Sequence, residues 1–129
     1  MRILLDTHAL LWFLFDDPRL SERAAALIED PTCDKLFSMA SLWEISIKSQ
    51  IGKLDLGMPL ERFFVEFVAG RTLDVLPIEL PDLLVYHGLP LHHRDPFDRL
   101  LIAQATRHRV AIVTRERAFS AYDVDCIWS

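Results

Sequence analysis

Four acidic side chains stand where strands of the chain are expected to end or helices to begin. These are Asp6, Glu44, Asp98 and Glu116. Asp6 follows the apolar run at residues 3–5, and Glu116 follows a strand-like run at residues 111–113. In a parallel α/β sheet the carboxyl ends of the strands gather at one edge, so these carboxylates would meet there and repel one another. A hard divalent cation would hold them together, and the pattern therefore indicates Mg²⁺ or Mn²⁺ chemistry.

Each acid, taken alone, also has a structural interpretation. Aspartate is a common N-cap, so the structural interpretation of Asp6 is a cap for the helix that follows it. Glu44 stands four residues before Lys48, the spacing of a helical ion pair. Glu116 has the position of a helix-start acid. The set of four is more persuasive than any member.

Asp95 and Asp98 both lie at the start of the strongest predicted helix. Asp95 precedes Pro96 and has the position of an N-cap, so it is interpreted as structural. Asp98 falls in the first turn, where the helix dipole favours an acid, and it heads a strongly apolar face. A first-turn acid at the edge of the sheet is well placed as a metal ligand.

The apolar periodicity predicts strands and helices in alternation. Strands are predicted at residues 2–6, 35–38, 72–78, 111–114 and 125–128. Helices are predicted at residues 7–15, 22–29, 41–51, 60–69, 80–89, 96–108 and 116–121. This order predicts an α/β fold, in which a mostly parallel sheet of about five strands is covered by helices on both faces. The helix at 60–69 has a broad phenylalanine stripe, which favours core packing over a dimer or partner surface.

Composition excludes several classes of protein. Apolar residues make up 51% and charged residues 26% of the 129 residues, and we expect a single domain over residues 1–129. No apolar run approaches the ~20 residues of a membrane helix, and the N-terminus lacks the hydrophobic region of a signal peptide. The expected location is therefore cytoplasmic, with no membrane segment. Cys33 and Cys126 are interpreted as reduced thiols.

The four acids lie within short motifs that resemble those of the PIN-domain family. The motifs are Leu4-Leu5-Asp6-Thr7-His8, Trp43-Glu44-Ile45, Asp98 with Leu101-Ile102-Ala103-Gln104-Ala105, and Val113-Thr114-Arg115-Glu116-Arg117-Ala118-Phe119. Their order and spacing are most similar to those of the small PIN ribonucleases that act as VapC-type toxins. The resemblance implies a three-layer α/β/α fold and a Mg²⁺- or Mn²⁺-dependent endoribonuclease acting on RNA. It also implies a homodimer and a cognate antitoxin protein that holds the enzyme inactive.

The resemblance assigns roles by position. Asp6, Glu44 and Asp98 match the three core acids of the family, which are both catalytic and metal-binding. Glu116 falls where the family usually has Asp or a similar polar residue, and it is included as a fourth ligand. Thr114 matches a Ser or Thr often found near the site, and it is expected to contact substrate.

Charge is unevenly distributed along the chain. The net charge is −5, which argues against a broadly basic nucleic-acid binder, yet residues 92–117 carry six arginines against three acids. These arginines would either face phosphates or remain solvated near helix ends. Arg99 and Arg115 each neighbour a candidate site residue, and they are hypothesised to hold the phosphates that flank the cleaved bond.

Three alternatives compete with the nuclease interpretation. A phosphatase of the haloacid-dehalogenase type also begins with a strand ending in Asp, but it needs a second acid where this chain has His8. A receiver domain needs an acceptor Asp at the end of the third strand, whereas Asp74 falls inside it. A PIN-like protein that binds RNA or a partner without cleavage is disfavoured by the intact acids.

Overall fold

A parallel β-sheet forms the centre of the computed structural model, which describes residues 1–69 and 73–129. Its strands are β1 (Arg2–Leu5), β2 (Asp34–Ser38), β3 (Asp74–Leu76), β4 (Ala111–Val113) and β5 (Cys126–Ile127). They are arranged in the order β3-β2-β1-β4-β5, and all four pairings are parallel. The prediction of a mostly parallel sheet of about five strands is confirmed.

Helices cover both faces of this sheet. In the described residues they are α1 (Thr7–Leu14), α2 (Glu22–Glu29), α3 (Met39–Gln50), α4 (Leu60–Phe63), α5 (Leu80–Gly88) and α6 (Pro96–His108). A π-helical segment, Phe64–Ala69, continues α4, and a 3₁₀ helix spans Arg117–Ala121. None of these helices is both long enough and apolar enough to cross a bilayer.

Two hydrophobic clusters hold the helices against the sheet, one on each face. Side chains alternate along β1, so that Ile3 and Leu5 enter the cluster with α1 to α4, while Leu4 enters the cluster with α6. A strand buried on both faces reads as a continuous apolar run, which is why residues 3–5 are all apolar. Within the phenylalanine stripe, Phe63 and Val68 are buried in the first cluster, as core packing requires. The side chain of Phe67 lies outside the described ones.

Several predicted boundaries shift by a few residues. Helix α3 begins at Met39 instead of residue 41, because the Ser38 hydroxyl accepts a hydrogen bond from the backbone N–H of Ala40 at 3.0 Å and caps the helix directly at the end of β2. Strand β3 is shorter than predicted, and residue 72 of that prediction lies outside the described residues. Helix α6 has the predicted bounds. Cys33 and Cys126 are both free thiols, as predicted.

The carboxyl ends of β1 and β4 define the edge at which the candidate residues gather. Strands β1 and β4 are neighbours, with Leu5 aligned to Val113, so the residues that follow each strand emerge side by side. The backbone N–H of Asp6 donates to the carbonyl of Val113 at 3.1 Å and extends this pairing past the last strand residue. The topology therefore brings Asp6 next to Thr114, although 108 positions separate them in the sequence.

Candidate active site

Asp6 is buried at the junction between β1 and α1. Its side chain is 4% exposed, and Oδ1 accepts a hydrogen bond from the backbone N–H of Ala9 at 2.8 Å. The aspartate is thus the N-cap of α1, and its structural interpretation is confirmed. The Thr114 side chain also hydrogen-bonds the carboxylate. The cap fixes the carboxylate at the edge of the sheet, where it is available for chemistry as well.

Glu44 is buried between α1 and α3. Thr7 Oγ1 lies 2.7 Å from Glu44 Oε1 and 2.9 Å from Ser41 Oγ, and because a hydroxyl has a single proton, it donates to the carboxylate and accepts from the serine. Lys48 Nζ donates to the other oxygen, Oε2, at 2.7 Å. The helical ion pair with Lys48 is therefore present, and both carboxylate oxygens have partners.

Asp98 lies in the first turn of α6 and is held by a histidine from the preceding loop. His93 Nε2 is 2.8 Å from Asp98 Oδ2. The predicted N-cap role of Asp95 is confirmed, because its Oδ1 accepts from the backbone N–H groups of Phe97 and Asp98 at 2.8 and 3.0 Å. This cap sets the start of α6, and with it the position of Asp98.

The acids influence one another electrostatically. Burial, together with the negative charges of Glu116 and Glu44, raises the pKa of Asp6 from 3.8 to about 6, against the opposing hydrogen bonds from Thr114 and Ala9. Burial likewise raises the pKa of Asp98 to about 6, with contributions from Asp95 and Glu44. The charge of Glu44 acts on both aspartates, so Glu44 links Asp6 and Asp98 electrostatically.

Thr114 and Glu116 follow β4 beside Asp6. Thr114 is buried, and its Oγ1 accepts a hydrogen bond from the backbone N–H of Glu116 at 3.0 Å. The Glu116 side chain is exposed and forms no side-chain cap on the 3₁₀ helix that follows it. Its charge nevertheless reaches Asp6, as the raised pKa of Asp6 indicates. Both residues therefore face the same edge of the sheet as Asp6.

The chemistry of this donor set suits a hard divalent cation. The candidate ligands are carboxylate oxygens, which Mg²⁺ prefers, and burial raises the pKa of both Asp6 and Asp98, so a nearby cation would stabilise their ionised forms. The geometry does not supply a ready site, however: among residues 1–69 and 73–129, no three His, Cys, Asp or Glu side chains are grouped so that they could hold a metal ion. Lys48 and His93 occupy carboxylate oxygens of Glu44 and Asp98, so side-chain rearrangement must accompany cation binding.

Arg99 is not placed to bind phosphate, contrary to the prediction. It is 5% exposed, and its Nη1 donates to the carbonyl of Pro90 at 2.8 Å and to the hydroxyl of Tyr122 at 3.1 Å. Its Nη2 donates to the backbone carbonyl of Tyr86 at 3.3 Å, and the guanidinium lies 4.8 Å from the centre of the Tyr86 ring. Consecutive helix residues face different directions, so adjacency to Asp98 did not bring Arg99 to the site. Arg99 instead fastens the loop before α6.

Arg115 has the opposite environment. Its side chain is exposed, and its guanidinium lies 5.9 Å from the centre of the Trp12 ring. It therefore remains available to a ligand beside Thr114.

Sequence reasoning missed two residues that position the acids. The hydroxyl of Thr7 contacts Glu44 across 37 positions of sequence, and no local pattern predicts this pairing. His93 follows His92 directly in the sequence, and nothing in the spacing shows which of the two histidines contacts Asp98. Tyr122, whose hydroxyl accepts from the His93 backbone N–H at 2.9 Å, supports that contact from the far end of the chain.

The structure also bears on the competing enzyme classes. His8, which stands where a haloacid-dehalogenase-type phosphatase needs its second acid, is exposed and stacks on Trp12 at a centroid distance of 5.4 Å. Asp74 is the first residue of β3 and lies at the opposite end from the acceptor position of a receiver domain. Neither alternative gains support.

We expect Asp6→Asn to stabilise the cation-free protein at neutral pH. Because the pKa of Asp6 is raised from 3.8 to about 6, the folded state holds a proton that the unfolded state has released, and stability falls as pH rises through this window. Asparagine also serves as an N-cap, so the substitution removes the ionisation cost, on the order of 2–3 kcal/mol, and keeps the cap. The measurement is the free energy of unfolding in urea with EDTA at pH 4 and pH 7.5.

Asp17→Asn provides a control of opposite sign. The hydrogen bonds from Arg19 lower the pKa of Asp17 to about 2, so its contribution to stability is present above pH 3.8 and is lost as pH falls through about 2. This variant should be less stable than wild type at pH 7.5. If Asp6→Asn raises the free energy of unfolding by the same amount at pH 4 and pH 7.5, the result would contradict the raised pKa of Asp6, and with it the burial of this carboxylate.

Arg99→Gln should destabilise the fold by about 2 kcal/mol or more, because carbonyl groups of the loop before α6 lose a charged donor. Arg115→Gln is the matched control, since this arginine is exposed and its loss should change the free energy of unfolding by no more than about 0.5 kcal/mol. Chemical denaturation of both variants makes the comparison. Equal stability of Arg99→Gln and wild type would show that the buried network is not structural.

Comparison with known proteins agrees with this architecture. The model of the PIN domain family matches residues 3–125. The chain is 27% identical over 123 residues to "Ribonuclease VapC22" of Mycobacterium tuberculosis (strain ATCC 25618 / H37Rv), covering 93% of this chain and 91% of that protein. Among solved structures, VapBC2 from Rickettsia felis bound to a promoter DNA fragment aligns with a TM-score of 0.72 at 15% identity, covering all of both chains. A toxin–antitoxin complex from Klebsiella pneumoniae aligns with a TM-score of 0.67 at 18% identity, covering 97% of this chain and 95% of that one. The family match spans most of the chain, and the chain belongs to the PIN domain family.

Proposed function

We propose that this chain is a divalent-cation-dependent endoribonuclease that hydrolyses phosphodiester bonds of RNA. The observation that carries this proposal is that the charge of Glu44 acts on both Asp6 and Asp98 in a chain with the PIN-family fold. Similarity to a protein named as a ribonuclease supports the reaction class. Asp6, Glu44 and Asp98 are the proposed metal ligands, and Glu116 is the proposed fourth.

The cation, Mg²⁺ or Mn²⁺, would lower the pKa of a bound water and neutralise charge on the leaving oxygen. The residues of this chain prepare its site. Thr7 orients the carboxylate of Glu44, Thr114 orients that of Asp6, and His93 holds that of Asp98. Supporting hydrogen bonds of this kind fix ligand orientation and contribute to cation affinity.

Exposed cations near the acids would help to hold a polyanionic substrate. A bound cation reverses the local sign of the acidic site, and Arg115, one residue after Thr114, then adds positive charge at its border. Arg115 is therefore retained as a proposed phosphate contact, whereas Arg99 is not. Arg115→Gln should reduce the dependence of RNA affinity on salt concentration, as expected for the loss of one phosphate contact.

A cognate antitoxin protein is the proposed regulatory partner. The support is the similarity of the fold to chains from toxin–antitoxin complexes, including the one from Klebsiella pneumoniae. On this proposal, the chain is the toxin of the pair, and the partner would restrain cleavage until it is removed.

A second copy of the chain is the proposed partner for an exposed apolar surface on α5. Leu80, Leu83 and Leu84 lie on one face of this helix and are 68%, 48% and 66% exposed, and Leu91 beyond it is 87% exposed. An exposed stripe of this kind marks an interface more often than free surface. A homodimer would remove it from water.

We expect purified, partner-free protein to cleave single-stranded RNA in Mg²⁺ or Mn²⁺ and to stop on addition of EDTA. Asp6→Asn and Asp98→Asn should each lower the cleavage rate about 100-fold or more. Replacing a residue that only supports a metal ligand costs up to about 100-fold, and replacing a ligand itself should cost at least as much. Asp34→Asn is the matched control, because this exposed acid begins β2 at the opposite edge of the sheet. Cleavage that survives both EDTA and the two substitutions would refute the proposed function.

Leu84→Glu should convert a dimer to a monomer, because it places a charge in the centre of the α5 stripe. The readout is molar mass by light scattering coupled to size-exclusion chromatography. Val65→Glu is the matched control, since Val65 is 64% exposed but lies on the π-helical segment, away from α5. A wild-type protein that is monomeric at micromolar concentration would contradict the α5 interface.

A further inference from the structure

A cavity of about 520 Å³ opens beside the acidic site, between α1, α3 and the loop that follows α3. Its volume is within the roughly 300–1,000 Å³ typical of ligand pockets. Thr7 and Lys48 line it, and both are hydrogen-bonded to Glu44. The cavity is therefore continuous with the residues that hold a proposed metal ligand, so a molecule bound there lies next to the reacting bond.

Planar groups crowd the wall formed by α1. Trp12 is half-buried, and His8 stacks on it with ring centroids 5.4 Å apart and ring planes inclined by only 14°. The guanidinium groups of Arg19 and Arg115 lie 5.0 and 5.9 Å from the centre of the Trp12 ring. Aromatic rings and guanidinium planes are the surfaces on which proteins stack unpaired bases.

The charges around this wall favour an anion. The charged lining of the cavity consists of Asp17, Arg19, Lys48, Lys53 and Asp55. Asp17 is paired with Arg19 through two hydrogen bonds at 2.8 and 3.1 Å, whereas Asp55 is held by the backbone N–H of Gly57 and keeps its negative charge. Within residues 1–69 and 73–129, Lys53 and Arg115 are exposed and form no ion pair. In a chain of net charge −5, two unpaired cations beside an aromatic stack suit a nucleotide.

We propose that this cavity, the Trp12 pocket (Thr7, Trp12, Arg19, Lys48 and Lys53), binds an unpaired base of single-stranded RNA. The base stacks on the planar groups around Trp12, and Lys53 and Arg115 hold the phosphates on either side of it. This inference rests on the proposed ribonuclease function and specifies its substrate. The enzyme requires an unpaired nucleotide close to the cleaved bond, so duplex RNA is a poor ligand.

Binding is measured with a 5′-fluorescein-labelled 12-nucleotide single strand of mixed sequence, in EDTA to prevent cleavage. Trp12→Ala should raise the dissociation constant about tenfold or more, the scale expected for loss of one stacked base. The dissociation constant of Trp12→Phe should stay within about threefold of the wild-type value. Lys53→Gln should lower the slope of log affinity against log salt by about 0.7, the value for one phosphate contact to a single strand. The same strand annealed to its complement should bind more weakly than the free strand.

Intrinsic fluorescence locates the base directly. Stacking should quench the emission of Trp12, so most of the quench on adding unlabelled strand should be lost in Trp12→Phe, which still binds, and should persist in Trp128→Phe, whose ring lies 5.8 Å from that of Trp12. Trp43→Phe is the matched control: Trp43 is 57% exposed on α3 and packs on Phe97 outside the pocket, so its replacement should leave the quench intact. Arg2→Gln is the control for Lys53→Gln, because Arg2 begins β1 at the opposite edge of the sheet. Trp12→Phe and Lys53→Gln keep the test decisive even where Trp12→Ala fails to fold.

Unchanged affinity and an unchanged quench in folded Trp12 variants would overturn the inference. The inference would also be overturned if these variants bound RNA normally but no longer bound a protein partner, since the pocket would then be a protein-docking groove. Cleavage of the same strand in Mg²⁺ tests the enzyme separately. If the wild-type protein cleaves the strand but the Trp12 variants bind it as tightly as wild type does, the pocket is refuted and the ribonuclease function stands. If binding depends on Trp12 but no cation-dependent cleavage is seen, the ribonuclease function is refuted and the pocket is supported.

Discussion

The carboxylate of Asp6 is the constraint on which the rest of the site depends. It is buried at the end of a central strand, so its ionisation is unfavourable, and its raised pKa records that cost. Two donors, the backbone N–H of Ala9 and the side chain of Thr114, offset the cost only in part. A neutral side chain would suit the fold better. The position is thus strained in the electrostatic sense, and a bound cation is the partner that would relieve it.

The remaining acids are oriented by residues from distant parts of the chain, and each connection runs through a short polar contact. Thr7 ties the start of α1 to Glu44 on α3, and His93 ties the loop before α6 to Asp98. Tyr122, close to the end of the chain, then holds the backbone of His93. These contacts lie between well-packed elements, so the hydrophobic clusters on the two faces of the sheet fix the acids indirectly.

Local patterns were sufficient for the elements and for the edge at which they converge, but not for side-chain partners. Helix α6 was predicted with its observed bounds because Asp95 and Pro96 mark its start unambiguously. The start of α3 was misplaced because Ser38 ends a strand and caps a helix at once, so the apolar residues after it gave no signal of a boundary. Arg99 was assigned to substrate from its adjacency to Asp98, although neighbouring helix residues point in different directions. Contacts such as Thr7 with Glu44 depend on tertiary packing, which no local spacing encodes.

Lys48 connects the acidic site to the Trp12 pocket and makes the two sites interdependent. Its ammonium is paired with Glu44 Oε2, an oxygen that Glu44 needs free to serve fully as a ligand, and the same side chain lines the pocket. On the proposed function, a phosphate near the pocket would compete with Glu44 for Lys48, and Lys48 would be freer to bind that phosphate when Glu44 serves as a metal ligand. Each ligand therefore favours the state that receives the other, and by linkage the coupling is reciprocal. On the proposed function, RNA and the divalent cation would therefore bind with positive cooperativity, because each would weaken the Glu44–Lys48 pair that opposes the other.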